Sequence, residues 1–69
     1  MTHGERVRDL RKHFGLTLEQ FGKNLGVGKT AISKIEKNER GLTEQMVVAI
    51  CREYGVSEKW LRDGESEMF

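Results

Sequence analysis

The sequence predicts an all-α fold, a small domain of five short helices. Apolar residues recur at the 3, 4 and 7 residue spacing of helices, and no alternating strand pattern occurs. Helix-starting and helix-ending residues follow one another at short intervals. The chain has 69 residues, enough for one thin core and one domain, residues 1–69. The predicted helices span residues 4–14, 18–25, 29–37, 44–54 and 58–62.

Hydroxyl residues mark the helix starts. The segments THGE (residues 2–5) and TLEQ (residues 17–20) have the form of capping boxes, in which two side chains satisfy free backbone N–H groups at a helix start. Thr43 and Ser57 are placed to cap the fourth and fifth helices. Glycines follow four of the predicted helices and suit the left-handed position beyond a helix end: Gly15, Gly26, Gly55 and Gly64.

Apolar stripes on these helices predict the core. The stripes are Val7, Leu10 and Phe14; Ala31, Ile32 and Ile35; and Val47, Ile50, Cys51 and Tyr54. Cys51, the only cysteine, is interpreted as a packed thiol and excludes an internal disulfide. Trp60 and Phe69 are interpreted as anchors of the core and of the C-terminus.

The segment GVGKTA (residues 26–31) resembles the end of a phosphate-binding P-loop, or a dinucleotide fingerprint. A P-loop requires glycine at position 23, where the chain has Lys23. Both nucleotide motifs also follow a buried strand, whereas TLEQFGKNL (residues 17–25) is a capped helix. We therefore expect no nucleotide and no cofactor.

The net charge is only +1, but the charge is unevenly distributed. Residues 23–40 carry five Lys or Arg against two Glu, and residues 41–69 are acidic. This asymmetry predicts a polyanionic partner on one face. No apolar run approaches the ~20 residues of a membrane span, and the N-terminus lacks the apolar core of a signal peptide. We therefore expect a cytoplasmic protein with no membrane partner.

The glycines of GVGKTA have a structural interpretation. Two helices joined by Gly26-Val27-Gly28 leave room only for a tight turn, as in a helix-turn-helix unit. We expect Val27 to point into the core and Gly28 to cap the third helix. Gly22, in the middle of the second helix, lets the third helix approach closely despite its propensity cost of about 1 kcal/mol.

Residues 15–41, GLTLEQFGKNLGVGKTAISKIEKNERG, resemble the helix-turn-helix of the Cro and lambda-repressor-like (XRE-type) regulators. The family pattern is approximately L-T-Q-x-x-L-A-x-x-L-G-V-S-x-x-x-I-S-x-I-E-x-G-x-R. Four parts of the chain fit it directly: Gly26-Val27, Ile32-Ser33, Ile35-Glu36 and Arg40. The resemblance continues through GVSEKWL (residues 55–61), the family's closing helix, and implies a five-helix DNA-binding fold.

Three positions depart from the family pattern. Leu18 stands where the family often has a glutamine that grips a DNA phosphate. Gly28 replaces the usual Ser or Thr cap, and Gly22 replaces Ala. The phosphate contact at the start of the second helix is the feature that these departures affect.

Helix geometry predicts the DNA-contacting face of the third helix. At 100° per residue the isoleucines point inward, and a row of lysines and hydroxyls lies opposite them. Lysine can donate to guanine O6 and N7, and short hydroxyl side chains can bond to base edges. The expected base contacts are Lys29, Thr30, Ser33 and Lys34. The alternative is an ordinary solvated face.

Phosphate contacts are expected at the edges of the same helix. The candidates are Thr17, Lys23, Lys37, Asn38 and Arg40. Any one of them can instead be a solvent-facing group. For Glu36 we expect a structural role, such as pairing with Arg40 or another loop group. His3 and His13 have no partners at metal-ligand spacing, so we expect no metal, and no catalytic constellation is evident.

Two functions remain open. The first is a sequence-specific double-stranded DNA-binding transcriptional regulator, a repressor, which forms a homodimer on a pseudo-palindromic operator as the resemblance implies. The second is a protein-interaction module, such as an antitoxin or antirepressor partner. The apolar end Met68-Phe69 favours an N-terminal domain of a longer regulator over a complete short Cro-like chain, and the segment from Trp60 to Phe69 is the first candidate for a dimer surface.

Overall fold

Helices account for most of the chain, which the computed structural model describes from residue 1 to residue 69. They are α1 (His3–His13), α2 (Leu18–Asn24), α3 (Lys29–Glu36), α4 (Glu44–Tyr54) and α5 (Glu58–Asp63). The predicted all-α, five-helix architecture is confirmed, and each observed bound lies within one residue of the expected one. None of the helices combines the length and the apolarity that a membrane crossing requires.

Side-chain caps start four of the five helices. The Thr2 hydroxyl accepts the N–H of Glu5, and the Glu5 carboxylate accepts the N–H of Thr2 at 2.8 Å. Hydrogen bonding from Thr2, chiefly from its backbone N–H, holds the pKa of the Glu5 carboxyl below its ordinary value. Thr17 and Gln20 form the same box on α2, while Thr43 and Ser57 cap α4 and α5. The caps satisfy N–H groups that have no acceptor within the helix, so they fix where each helix begins.

The core draws on every helix. Its buried members are Val7, Leu10, Phe21, Ile32, Ile35, Val47, Ile50, Tyr54, Val56, Trp60 and Leu61. Cys51 is half-buried at its edge, and burial raises the pKa of the thiol. Because all five helices direct apolar side chains to one centre, removing any helix would expose the others.

Phe14 is the exception to the predicted stripe on α1. The apolar stripe predicts it inside, but it is 44% exposed because it lies at the C-cap, after the last helical residue. Its ring packs against Tyr54 and Phe69, with centroid separations of 5.4 and 6.0 Å. Phe69 is itself 54% exposed, so this end of the molecule carries exposed aromatic surface.

A buried arginine ties the two ends of the chain together. Arg6, in α1, is 6% exposed and donates to the backbone oxygens of Leu61 at 3.1 Å, Met1 at 2.7 Å and Arg62 at 2.9 Å. Two of these acceptors lie in the last turn of α5, where carbonyls lack helical partners and the helix dipole favours a cation. The guanidinium therefore anchors α5 to α1.

Candidate nucleic-acid interface

A tight turn joins α2 to α3. Gly26 has φ +78°, a left-handed conformation that glycine adopts without strain. Its N–H donates to the Lys23 carbonyl at 3.1 Å, and the N–H of Val27 donates to the Gly22 carbonyl at 2.9 Å. Val27 is half-buried and packs against the core, as expected. These contacts fix the direction in which α3 leaves α2.

Gly22 lies where α2 meets this turn and the start of α3. A Cβ at this position would come within 2.7 Å of the Val27 carbonyl oxygen and 3.1 Å of Ile32 Cγ1. The nearer atom belongs to the backbone, so no side-chain rotation relieves the contact. The predicted close approach of the two helices is confirmed.

The third helix has two distinct faces. Ile32 and Ile35 are fully buried in the core, and Ala31 is half-buried beside them. On the other side Lys29, Thr30, Lys34 and Lys37 are exposed, and Ser33 is half-buried. The expected outward row of hydroxyls and ammonium groups is therefore present, and none of the chain's other helices covers it.

This row lines an open groove, here called the α3 groove. Its lining residues are Leu18, Lys29, Thr30, Ser33, Lys34, Lys37 and Glu39. All four side chains predicted to contact bases lie in it, together with one of the five predicted phosphate contacts. The α3 groove combines three cations, two hydroxyls, one carboxylate and one apolar side chain.

The lysines of the α3 groove have no charge partners within the chain. The ion pairs of the protein are made by Arg8, Arg11 and Arg62, and no lysine takes part in one. The three ammonium groups of the groove are therefore uncompensated, apart from the single carboxylate on its rim. Such a surface attracts a polyanion.

Glu36 does not belong to the groove, and its predicted pairing with Arg40 is wrong. Its carboxylate is 4% exposed and faces α1, where it accepts from Arg11 at 2.7 and 3.0 Å and from Arg8 at 3.4 Å. The hydrogen bonds with Glu36 raise the pKa of the Arg11 guanidinium. The expected structural role is confirmed, but the partner lies on α1 because Glu36, four residues after the buried Ile32, is on the inward-facing side of α3.

The remaining predicted phosphate contacts lie outside the lining of the groove. Thr17, Lys23, Asn38 and Arg40 are exposed and none of them lines it. The Thr17 hydroxyl oxygen accepts the N–H of Gln20 at 3.1 Å, which leaves its O–H available to donate. Asn38 Oδ1 accepts the N–H of Gly4 at 3.0 Å, and its amide NH₂ makes no hydrogen bond within the chain.

Two lining residues were not among the predicted site residues. Leu18 is a departure from the family pattern, and its sequence position alone does not place it in the groove. Glu39 reaches the rim because Asn38 is left-handed, with φ +64°. The N–H of Asn38 donates to Ile35 and that of Glu39 to Lys34, at 3.0 and 2.9 Å, which is a Schellman motif. The chain reverses its direction at this motif. Asn38 lies just beyond the predicted end of the third helix, and an asparagine at that position is the sequence feature that predicts such a left-handed helix end.

A capped helix, a glycine turn and a second helix with an exposed polar face define a helix-turn-helix domain. The family model described as "Helix-turn-helix domain" matches residues 4–67. The chain therefore belongs to this family, and the resemblance to the lambda-repressor-like branch is confirmed by its structural neighbours.

The similar proteins include regulators and a repressor. The P22 c2 repressor, solved in complex with a synthetic operator, superposes with a TM-score of 0.86 and 29% identity, over 94% of this chain and 98% of that one. The propionyl-CoA carboxylase regulator of Cereibacter sphaeroides is 33% identical over 64 residues, 93% of this chain. The antitoxin PezA of Streptococcus pneumoniae is 26% identical over 54 residues, 78% of this chain.

The chain spans only part of these two curated relatives. It covers 14% of the length of the propionyl-CoA carboxylase regulator and 34% of that of the antitoxin. The similarity therefore concerns one segment of each relative.

Proposed function

We propose that this chain is the sequence-specific, double-stranded DNA-binding domain of a transcriptional repressor, and that α3 enters the major groove. The observation that carries the proposal is the α3 groove, where hydroxyls and uncompensated ammonium groups are presented on a helix fixed to the core. The whole molecule measures 28 × 22 × 21 Å, so one domain covers a single half-site.

The dimensions and chemistry of the major groove fit this surface. A major groove is about 12 Å wide and admits one α-helix, and the eight residues of α3 extend about 12 Å along it. Lys29 and Lys34 donate to guanine O6 and N7 in this arrangement. Thr30 and Ser33 are short enough to bond base edges while the helix lies deep.

We assign phosphate contacts to five residues: Thr17, Lys23, Lys37, Asn38 and Arg40. Thr17 retains a hydroxyl proton, Asn38 an unbonded amide NH₂, and the other three a positive charge. Each is a donor suited to phosphate oxygens.

Relatives of this chain support a regulatory role. The P22 c2 repressor, similar over nearly the full chain, was solved in complex with its synthetic operator. The propionyl-CoA carboxylase regulator is a second regulator that shares the domain. We propose that this chain likewise supplies the DNA-binding part of a longer regulator.

We further propose that the domain acts as a homodimer on a pseudo-palindromic operator. One helix-turn-helix contacts only a few base pairs, and two-fold related copies place their recognition helices about 34 Å apart on one face of the duplex. With the longest axis of the domain along the duplex, each copy reaches half of its 28 Å extent toward the other, so two copies with their side chains nearly fill that spacing. Two adjacent half-sites therefore bring the copies close to contact.

A second function, protein interaction as in an antitoxin, is favoured by the similarity to PezA. The exposed rings of Phe14 and Phe69 offer apolar surface outside the α3 groove. This function can coexist with DNA binding because it uses a different face of the domain.

The experiment that separates these functions measures the affinity for labelled random-sequence duplex DNA at 50 and 200 mM salt. Five phosphate contacts, each contributing a slope of about −0.9, predict an affinity loss of about 500-fold over this range. Binding that is absent, or that does not change with salt, would favour the protein-interaction function. Selection of bound duplexes from a random pool follows, and recovery of an inverted repeat would establish both the operator and its two-fold symmetry.

A further inference from the structure

We propose that Leu18 contacts the C5-methyl group of a thymine in the major groove and so contributes to operator specificity. The inference deepens the proposed function and rests on it. No other side chain of the α3 groove is apolar.

The structure fixes Leu18 firmly beside α3. It is the first residue of α2, directly after the N-cap Thr17, whose hydroxyl accepts the N–H of Gln20. One side of Leu18 packs against the core and the rest is open to the groove, so the side chain is half-buried. Capping and packing together leave the leucine little freedom to turn away from a bound duplex.

The chemistry of the groove leaves one suitable partner for this side chain. The neighbours of Leu18 are lysines, hydroxyls and a carboxylate, all of which pair with polar groups of DNA. A leucine cannot donate a hydrogen bond to a phosphate. The apolar group that the major groove displays is the C5-methyl of thymine. Burying that methyl against Leu18 removes apolar surface of both molecules from water.

The test uses a duplex selected from a random pool by this protein. Each thymidine is replaced in turn by deoxyuridine, which removes only the methyl group. At one position per half-site the affinity should fall about fourfold, the effect of losing one buried methyl. The Leu18→Gln variant should bind the thymidine and deoxyuridine duplexes equally, whereas Leu18→Met, which stays apolar, should retain the preference.

Two control variants identify the residue responsible. Thr30→Ser removes the methyl group of the only other methyl-bearing side chain in the groove, and Val48→Ala changes an exposed apolar side chain of α4 outside it. Both should keep the deoxyuridine effect. Circular dichroism and thermal unfolding of each variant show that it is folded before its affinity is compared.

The outcomes are distinct. If the deoxyuridine effect persists in Leu18→Gln and disappears in Thr30→Ser, Thr30 contacts the methyl and the proposal is overturned. If no thymidine responds while salt-dependent binding remains, the proposal fails and the DNA-binding function stands. If the unchanged protein binds no duplex at all, both fail.

Discussion

Glu36, the last residue of α3, accepts two hydrogen bonds from the Arg11 guanidinium of α1, Nε to Oε2 at 2.7 Å and Nη2 to Oε1 at 3.0 Å. The side chains are 4% and 16% exposed. A bidentate, charge-assisted pair of this kind fixes orientation as well as distance. Arg11 also donates to the Leu16 carbonyl at 2.9 Å, in the loop before α2. The pair therefore links α1 both to the end of the DNA-binding helix and to the start of the helix-turn-helix.

Removing the charge of Glu36 should destabilise the domain strongly. In Glu36→Gln the partly buried Arg11 guanidinium loses its counter-charge. Removing one partner of a fully buried pair costs about 3–5 kcal/mol, and the partial exposure of Arg11 places this change near the lower end of that range. Urea unfolding should show this loss in the free energy of unfolding. This loss is large for a small domain, because the total free energy of unfolding of a native protein is only about 5–15 kcal/mol.

The matched control for that change is Glu39→Gln. Glu39 is exposed and takes part in no ion pair, so its substitution should alter stability by no more than about 0.5 kcal/mol. Combining Glu36→Gln with Arg11→Met in a double-mutant cycle isolates the coupling between the pair. Equal, small effects of Glu36→Gln and Glu39→Gln would show that the buried pair contributes no net stability.

Substituting alanine for Gly22 should also destabilise the protein, although alanine favours helices. The added Cβ would lie 2.7 Å from the Val27 carbonyl oxygen, so the turn must shift. Overpacking of this kind costs about 1–3 kcal/mol, against a helix-propensity gain of about 1 kcal/mol. A net loss of about 1 kcal/mol is expected in thermal unfolding, with weaker DNA binding because α3 is displaced.

Gly41→Ala is the comparison for this substitution. A Cβ at Gly41 would have no atom within 4 Å, and the residue is not among the glycines with positive φ. Alanine there should leave stability unchanged or raise it by about 0.4–1 kcal/mol, because it restricts the unfolded chain. If Gly22→Ala instead stabilised the protein, the turn between α2 and α3 would have to shift away from the added Cβ at little cost in free energy.

The parts of this protein that sequence predicts well are those with local causes. The capping boxes at Thr2 and Thr17 act over three residues, so the helix starts follow from the sequence alone. The outward row on α3 follows from the period of a helix once Ile32 and Ile35 are assigned to the core. Neither feature depends on how the helices pack.

What sequence did not predict depends on tertiary placement. The partner of Glu36 is Arg11, 25 residues away, and no spacing rule favours it over the nearer Arg40. Leu18 joins the groove only because the turn at Gly26 brings the start of α2 beside α3. Glu39 joins it through the reversal at Asn38, whose left-handed conformation is one of several that a loop asparagine can adopt.

Tyr54 should make stability sensitive to alkaline pH. Its hydroxyl donates to the Phe21 carbonyl at 3.1 Å and accepts from Asn24 at 3.2 Å, and burial raises the pKa of the phenol. The unfolded chain releases this proton near pH 10 and the folded protein only at higher pH. The contribution of the neutral phenol is therefore complete below about pH 10 and is lost as pH rises from there to the folded-state pKa.

The Tyr54→Phe variant tests this dependence. At pH 7 it should be less stable by about 1 kcal/mol, since it loses both hydrogen bonds but keeps the ring stacked on Phe21. Urea unfolding of both proteins at pH 7 and above pH 10 should show the difference shrinking. A difference that stays constant would mean that the phenol titrates alike in the folded and unfolded states.

Lys34 and Lys37 both line the α3 groove, but we expect them to serve different purposes. Lys34→Ala should reduce discrimination between the selected operator and random DNA by about 1–3 kcal/mol, because a base contact is lost. Lys37→Ala should weaken binding to both duplexes equally and lower the slope of log affinity against log salt by about 0.9, because a phosphate contact is lost. Lys59→Ala, an exposed lysine of α5 outside the groove and in no ion pair, should change neither quantity. Identical behaviour of the Lys34 and Lys37 variants would show that the division between base and phosphate contacts is incorrect, while leaving the role of α3 in DNA binding intact.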